Sequence, residues 1–254
     1  MLSGTVARSN GKCKDDDSRI RVCLVGLGWF QQTAHIPALL NARCAELASI
    51  RAVCCRDDAH RATSAGKLDS QLFLGEQRDV ARYASLDALL ADASDAGSPD
   101  AVDAVVIALP IDRQPAAIDA ALAAGRLHIL SEKPIAPTLS AALGLWRAYA
   151  ARCAAAAARR APPPVWAVLE NWQCKPAAAH IVRLVRRGVI GRVGSFALCR
   201  FVDARADGRG GPPSWRNDAA RYPGWLVDVG VHYARLLRNL FGELRRAGAT
   251  AEAG

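Results

Sequence analysis

No apolar run in this chain is long enough to cross a bilayer. The longest hydrophobic stretches are short or interrupted, whereas a spanning helix needs about twenty such residues in a row. No two of the eight cysteines are spaced C-x-x-C, and none stands with a histidine at zinc-ligand spacing, so neither a zinc module nor a dithiol redox motif is expected, and no metal site is assigned. Cys23 and Cys54 fall inside apolar runs, which points to reduced, buried thiols in a cytoplasmic protein. The signatures of RNA-binding modules and of a helix-turn-helix are missing. The net charge of +9 comes mainly from arginine on an alanine-rich background. It reads as a solvated basic surface, or as a field suited to an anionic phosphate cofactor, rather than as a nucleic-acid face. Residues 1–18 contain neither the apolar core of a secretion signal nor the Arg/Ser-rich amphipathic stretch of an import signal, and are read as a loose tail. There is no internal repeat.

What is present is enough apolar material for a sizeable core, 51% of 254 residues, in one large domain or two smaller ones. Arg21 to Gly26 reads as a short strand feeding the turn Gly26-Leu27-Gly28-Trp29-Phe30-Gln31, with a helix to follow through His35, Ile36, Leu39 and Leu40. Glu46 to Cys55 is a second strand, Leu86 to Ala91 a helix with a possible cap at Ser85, and Ala101 to Leu109 a near-continuous apolar strand of the kind buried in parallel sheets. Gln114 to Ala124 is a helix closed by Gly125, and Arg126 to Leu130 the next strand. A long helix from Leu139 to Arg160 stops at Pro162-Pro163-Pro164, and Val165 to Glu170 is again a strand. Alternating strands and helices predict a doubly wound parallel α/β sheet over 19–170. The composition then changes. Residues 171–254 read as an incomplete α+β second domain, with a helix from Ala177 to Arg187, a strand from Gly191 to Val202, a loop from Gly208 to Pro213, and a segment from Trp225 to Leu240 that begins as a turn and becomes an amphipathic helix.

Four places carry chemistry. In Gly26-x-Gly28 the first glycine permits a tight turn, and the second lets the backbone approach a pyrophosphate at the positive end of the helix. The third small residue of the full fingerprint is replaced by Gln31 or displaced to Ala34. At the tip of the second strand stand Cys55, Arg56 and Asp57. A guanidinium at Arg56 suits the 2′-phosphate of NADP; Asp57 is the ribose ligand, and NAD the cofactor, if the strand runs a residue or two longer. Leu130-Ser131-Glu132-Lys133-Pro134 puts a cation at the carboxyl end of a parallel strand, where open α/β sheets bind ligands. Glu132 pairs with Lys133 or orients it, and the Lys133–Pro134 bond is a candidate for the cis form. Asp228 and His232 are four apart, hence on one face if the helix has begun by Asp228. Such a pair can hold a substrate hydroxyl and accept its proton, although acid–histidine pairs at this spacing are also common as structural features. Trp215-Arg216 and Asn171-Trp172 place aromatics beside polar groups, as in a pocket lining or a cover over the sheet.

Taken in order, CLVGLGWFQQTAHIPAL, DAVVIALP, AALAAGRLHILSEKPIAP, RRGVIGRVGSF, and SWR followed by LVDVGVHYARLL resemble the glucose–fructose oxidoreductase, inositol dehydrogenase and rhizopine-catabolism (Gfo/Idh/MocA) family from Arg19 onwards. The resemblance implies an NAD(P)-dependent oxidoreductase moving hydride between a nicotinamide and the carbinol carbon of a sugar, polyol or related compound. It implies catalytic roles for Lys133 of the E-K-P motif and for Asp228 and His232 of the D-x-x-x-H pair. His232 would be the proton acceptor, with Asp228 and Lys133 positioning the hydroxyl. Cofactor contacts are implied for Gly26, Gly28, Trp29 and Phe30 of the first turn, for Arg56, and for Leu109 and Pro110. Glu132 and Lys133, and the Trp215 and Arg216 pair, complete that set. NADP is the favoured cofactor, NAD the alternative. The departures are Gln31 in the glycine turn, Leu109 and Gln114 where many members have threonine and histidine, and Pro223-Gly224-Trp225 before the aspartate. Family members continue past the D-x-x-x-H helix into a large open sheet that backs the substrate pocket and often forms a homo-oligomer interface. A chain ending at Gly254 is therefore expected to have a C-terminally truncated substrate domain. The alternative functional reading is a catalytically silent nucleotide-binding or regulatory homologue. No nucleic-acid or membrane partner is expected.

Overall fold

A computed structural model describes residues 18–55, 80–92, 101–197 and 215–243. The chain divides into two compact units, Met1–Val168 and Leu169–Gly254.

The first unit is built on strands β1 (Ile20–Val25), β2 (Ala48–Cys54), β3 (Ala81–Tyr83), β4 (Ala104–Ile107), β5 (His128–Glu132) and β6 (Trp166–Leu169). They form a six-stranded sheet in the order β3-β2-β1-β4-β5-β6. The pairs β1/β2, β1/β4, β2/β3 and β4/β5 are all parallel. The chain builds outward from β1 to β3, then returns to the other side of β1 and builds outward again. The reversal lies between β1 and β4, the switch point at which doubly wound sheets open a crevice for ligands. The doubly wound α/β architecture expected for the first domain is therefore the one found. Parallel strands need covered crossovers, supplied here by α1 (Ile36–Leu40), α2 (Ala42–Ala45), α3 (Leu86–Asp92), α4 (Gln114–Ala124) and α5 (Leu139–Ala158). Local chemistry sets their ends. The Ser85 hydroxyl accepts from the Ala88 N–H at 3.1 Å, Thr138 caps α5 through the Ala141 N–H at 3.2 Å, and Gly125 closes α4 in the left-handed conformation.

The core follows from the pattern. Every residue of β4 is buried, as a strand covered on both faces requires. Cys23, Val105, Ile107, Ile118, Leu122, Leu127 and Ile129 join β1, β4 and β5 to α4 in one apolar cluster. Cys23 and Cys54 lie side by side within it, Sγ to Sγ 3.5 Å, and burial pushes the Cys23 thiol well up, so it stays protonated. The strands are mostly shorter than expected: β2 begins at Ala48 rather than Glu46, β4 covers Ala104–Ile107 rather than Ala101 to Leu109, and β6 covers Trp166–Leu169 rather than Val165 to Glu170. β3 was not anticipated, because three residues are too few for a hydrophobic period; it exists through pairing with β2. β5 runs on to Glu132, because Ser131 continues the ladder opposite Ile107.

The second unit contains a 3-10 turn at Asn171–Cys174, helix α6 (Pro176–Arg186), a 3-10 turn at Trp215–Asn217 and helix α7 (Trp225–Phe241). Arg186 Nη2 donates to the Asn239 carbonyl at 3.0 Å, and Phe196 stacks on Phe241, centroids 5.1 Å apart. The strand expected from Gly191 to Val202 is not formed over its described part, residues 191–197, which are irregular; the remainder lies outside the described residues. No neighbouring strand pairs with residues 191–197 among the described residues. No helix among the described residues is long and apolar enough to cross a membrane.

At the amino ends of the central strands Arg21 clamps Asp103. Nε and Nη2 donate to the two carboxylate oxygens at 3.1 and 2.8 Å, and the Arg21 backbone N–H donates at 2.8 Å. Burial works against ionisation of Asp103, but these bonds outweigh it and hold the carboxyl below its ordinary value of 3.8. A lowered folded-state value stabilises the fold above the ordinary value and loses that contribution as pH falls through the lowered one. The pair is partly exposed, so the contribution is at most about 1 kcal/mol. In urea unfolding, the stability gap between the native chain and Asp103→Asn should therefore be present at about pH 6 and shrink as pH falls below about 4.

Candidate active site

The glycine turn sits where β1 ends at the switch point. The Gly26 N–H donates to Cys54 O at 2.9 Å, and Ala108 N–H donates to Val25 O at 3.0 Å, so the tips of β1, β2 and β4 are tied around it. Gly26 has φ +87°, and a Cβ there would stand 2.6 Å from Ala108 O and 2.8 Å from Leu109 Cδ2. Both the backbone and the space demand glycine. Gly28 is different: a Cβ would meet no protein atom within 4 Å. The protein's own packing does not require glycine there, which fits a position kept small for the approach of something other than protein. The residues present thus suit a dinucleotide, whose pyrophosphate Gly28 and the first turn of the following helix would hold.

Trp29 is 75% exposed, and Phe30 meets the His35 ring edge-on at 5.2 Å. Gln31, at the place of the third small residue, is fully buried and opens a π-helical stretch, Gln31–His35, that runs into α1. The wider turn, marked by the Ile36 N–H bonding Gln31 O, accommodates a side chain between helix and strand where a small residue would let them close. The Gln31 amide nitrogen reaches Val106 O at 3.5 Å, and its Oε1 has no hydrogen-bond partner among the described residues.

Leu109 and Pro110 form the half-buried loop after β4, with Leu109 against Gly26. The Pro110 carbonyl accepts from the Arg113 and Gln114 N–H groups as α4 begins. Across from this loop β5 delivers Glu132 and then Lys133. Both oxygens of the buried Glu132 are engaged: Oε1 with His35 Nε2 at 3.0 Å, Oε2 with the Lys133 backbone N–H at 3.2 Å. Glu132 therefore holds Lys133 through its main chain, one of the two arrangements open on sequence. The Lys133–Pro134 bond is cis. The Gln114 amide donates to Pro134 O at 2.7 Å, so the first residue of α4 braces the turn. His35 and Gln114 were not picked out from sequence as supports: His35 follows Gln31, Gln32 and Thr33, and Gln114 opens a helix that also carries Asp119, so neither stands out from the polar residues around it. Arg56, the residue on which the NADP reading rests, lies outside the described residues. Cys55 is buried just beyond β2, its N–H bonded to Tyr83 O at 3.0 Å.

In the second unit, α7 starts at Trp225, so Asp228 and His232 are both helical and one turn apart, as their spacing required. Asp228 is 4% exposed and accepts from Arg216 Nε at 2.8 Å. Arg216 in turn lies over the Trp215 ring, 4.3 Å from its centroid. The Trp-Arg pair and the acid, separate motifs in the sequence, are thus one cluster. The imidazole of His232 bonds through Nδ1 to Glu170, and the Trp172 indole stacks flat against it at 5.0 Å. Glu170 was missed as a functional candidate. Its only sequence signal was an acid at the end of an apolar strand, two residues before Trp172.

A model of the oxidoreductase family with an NAD-binding Rossmann fold, GFO_IDH_MocA, matches residues 20–156. The model of the family's C-terminal domain matches residues 178–253. Dehydrogenase FPY6 of Fusarium mangiferae is 28% identical over 87% of this chain and 58% of its own length. D-apiose dehydrogenase of Paraburkholderia graminis is 28% identical over 91% of this chain and 52% of its own length. Among solved structures, levoglucosan dehydrogenase in complex with NADH and levoglucosan superposes with a TM-score of 0.67 at 24% identity, over 89% of this chain and 55% of that one. The chain spans a little over half the length of these relatives.

Two substitutions separate the glycines. Gly26→Ala should destabilise the fold by about 1–3 kcal/mol, since it strains a left-handed residue and drives a methyl into Ala108 O, and thermal melting will show the drop. Gly28→Ala should leave the melting temperature within about 2 °C while weakening binding of NADPH and NADH in fluorescence titrations.

Proposed function

This chain belongs to the Gfo/Idh/MocA oxidoreductase family, and on that premise we propose that it is an NAD(P)-dependent dehydrogenase acting on the hydroxyl of a sugar, polyol or related small molecule. The observation that carries this reading is the turn at the switch point, where Gly26 is demanded by the protein and Gly28 is not. Support for the substrate class comes from relatives named for D-apiose and levoglucosan, both carbohydrates.

When bound, the nicotinamide supplies the hydride chemistry; the chain orients it and handles the proton. Residues 26–30, with Leu109 and Pro110, hold the dinucleotide, and Trp215 and Arg216 are assigned to its contacts or to those of the substrate. Arg56 favours the 2′-phosphate of NADP over NAD. Lys133, held at its main chain by Glu132, and Asp228, held by Arg216, bind the substrate hydroxyl through charge-assisted hydrogen bonds. His232 accepts the hydroxyl proton during oxidation and returns it during reduction. A cytoplasmic location and assembly with further copies of the chain accord with this role.

A titration of the purified chain with NADPH and NADH, followed by nicotinamide fluorescence, tests the cofactor. Tight NADPH binding with weak NADH binding supports Arg56; a preference for NADH moves the ribose contact to Asp57. Reduction of NADP by a panel that includes levoglucosan and D-apiose then tests the reaction. Lys133→Met should lower turnover by roughly 100-fold or more while sparing cofactor binding. Loss of both together, or of neither, would remove Lys133 from the assigned role.

A further inference from the structure

A buried carboxylate to which the sequence reading gave no role stands directly against the His232 imidazole. Glu170 is 6% exposed, and its Oε1 bonds His232 Nδ1. The same oxygen accepts the Trp172 backbone N–H at 3.0 Å. The Trp172 ring covers one face of the imidazole, interplanar angle 8°, and meets Tyr233 edge-on at 5.1 Å. Lys175 Nζ lies 4.5 Å over the Trp172 ring. A backbone donor thus holds the carboxylate, and Glu170 and Trp172 hold the imidazole at Nδ1 and at one face.

Burying an acid beside a base costs desolvation that a well-packed apolar pair would not incur. What the carboxylate provides is a fixed tautomer: a hydrogen bond at one ring nitrogen decides where the other keeps its lone pair. We propose that Glu170 is a positioning residue for proton transfer at His232, fixing the neutral imidazole as the Nδ1–H form with its basic lone pair on Nε2. The proposal rests on the role assigned to His232. In the oxidative direction the substrate O–H bond breaks and its proton goes to Nε2. The hydride lost from the carbinol carbon is taken up by the oxidised nicotinamide, and a carbonyl results. The Nδ1 proton stays on Nδ1, and Glu170 remains ionised beside the imidazolium, whose charge it balances. Reduction runs the same transfers backwards.

Nitrogen-15 NMR of the full chain, labelled at the histidine rings, tests the assignment without needing a substrate. His232→Asn identifies the His232 signals among the five histidines. The neutral ring should show a protonated Nδ1 and a bare Nε2. Glu170→Leu, which removes the acceptor, should populate the Nε2–H form, with NADPH binding unchanged. Glu170→Gln keeps the acceptor and the volume but removes the charge. It should retain the tautomer and, on a sugar or polyol found to reduce NADP, lower kcat by roughly 100-fold with KM within about two-fold. A native chain already in the Nε2–H form overturns the proposal, as does a tautomer indifferent to Glu170→Leu or a kcat indifferent to Glu170→Gln. If no sugar or polyol is turned over, it is the functional reading that fails, and the tautomer measurement still decides whether Glu170 fixes the proton on His232.

Discussion

Everything in the first unit depends on one backbone conformation, the left-handed turn at Gly26. It lets β1 stop abruptly, with its tip bonded to β2 through Cys54 O and to β4 through Ala108 N. A side chain could not occupy this point, because the carbonyl of Ala108 is already there. Closing the strands so tightly at their carboxyl ends leaves the next two residues to turn outward and begin a helix. That geometry places a helix amino end, with its partial positive charge, over the strand tips. The Arg21–Asp103 clamp performs the opposite task at the other end of the strands, where it fastens the sheet far from any chemistry.

The two units use a common device for holding a functional group: a buried glutamate at or just after the end of a strand, one oxygen on a histidine, with a nearby backbone N–H bonded as well. Glu132 binds His35 and the Lys133 N–H; Glu170 binds His232 and the Trp172 N–H. The carboxylate rigidifies whatever follows it, because a charged acceptor bonded to two donors has little rotamer freedom left. In the first case the rigidified element is the main chain carrying Lys133. In the second it is the imidazole itself. Gln114 adds a neutral brace of the same kind on the Pro134 carbonyl.

The alternation of apolar strands with helices was legible because burial on both faces leaves a continuous apolar run, as from Ala101 to Leu109, within which β4 occupies Ala104–Ile107. The cap at Ser85, the closing Gly125 and the helix from Gln114 to Ala124 were equally plain, since each depends on contacts within a few residues. What failed to show was non-local. β3 owes its existence to β2. The expected strand after Gly191 has, over its described residues, no partner. Gln31 looked like a lapse in a motif, and proves to be a buried side chain that widens the helix above it.

The sequence by itself determined that a glycine turn follows the first strand, that Lys133 lies at a strand's carboxyl end, and that Asp228 and His232 share a helix face. These are properties of short segments and of periodicity, which backbone sterics translate directly into geometry. Only the tertiary structure decided which groups hold them. His35 is ninety-seven positions from Glu132, Glu170 is sixty-two from His232, and Arg216 reaches Asp228 from a separate turn. Pairings of that kind arise when buried charges must find partners after the chain has packed, and spacing along the chain carries no trace of them.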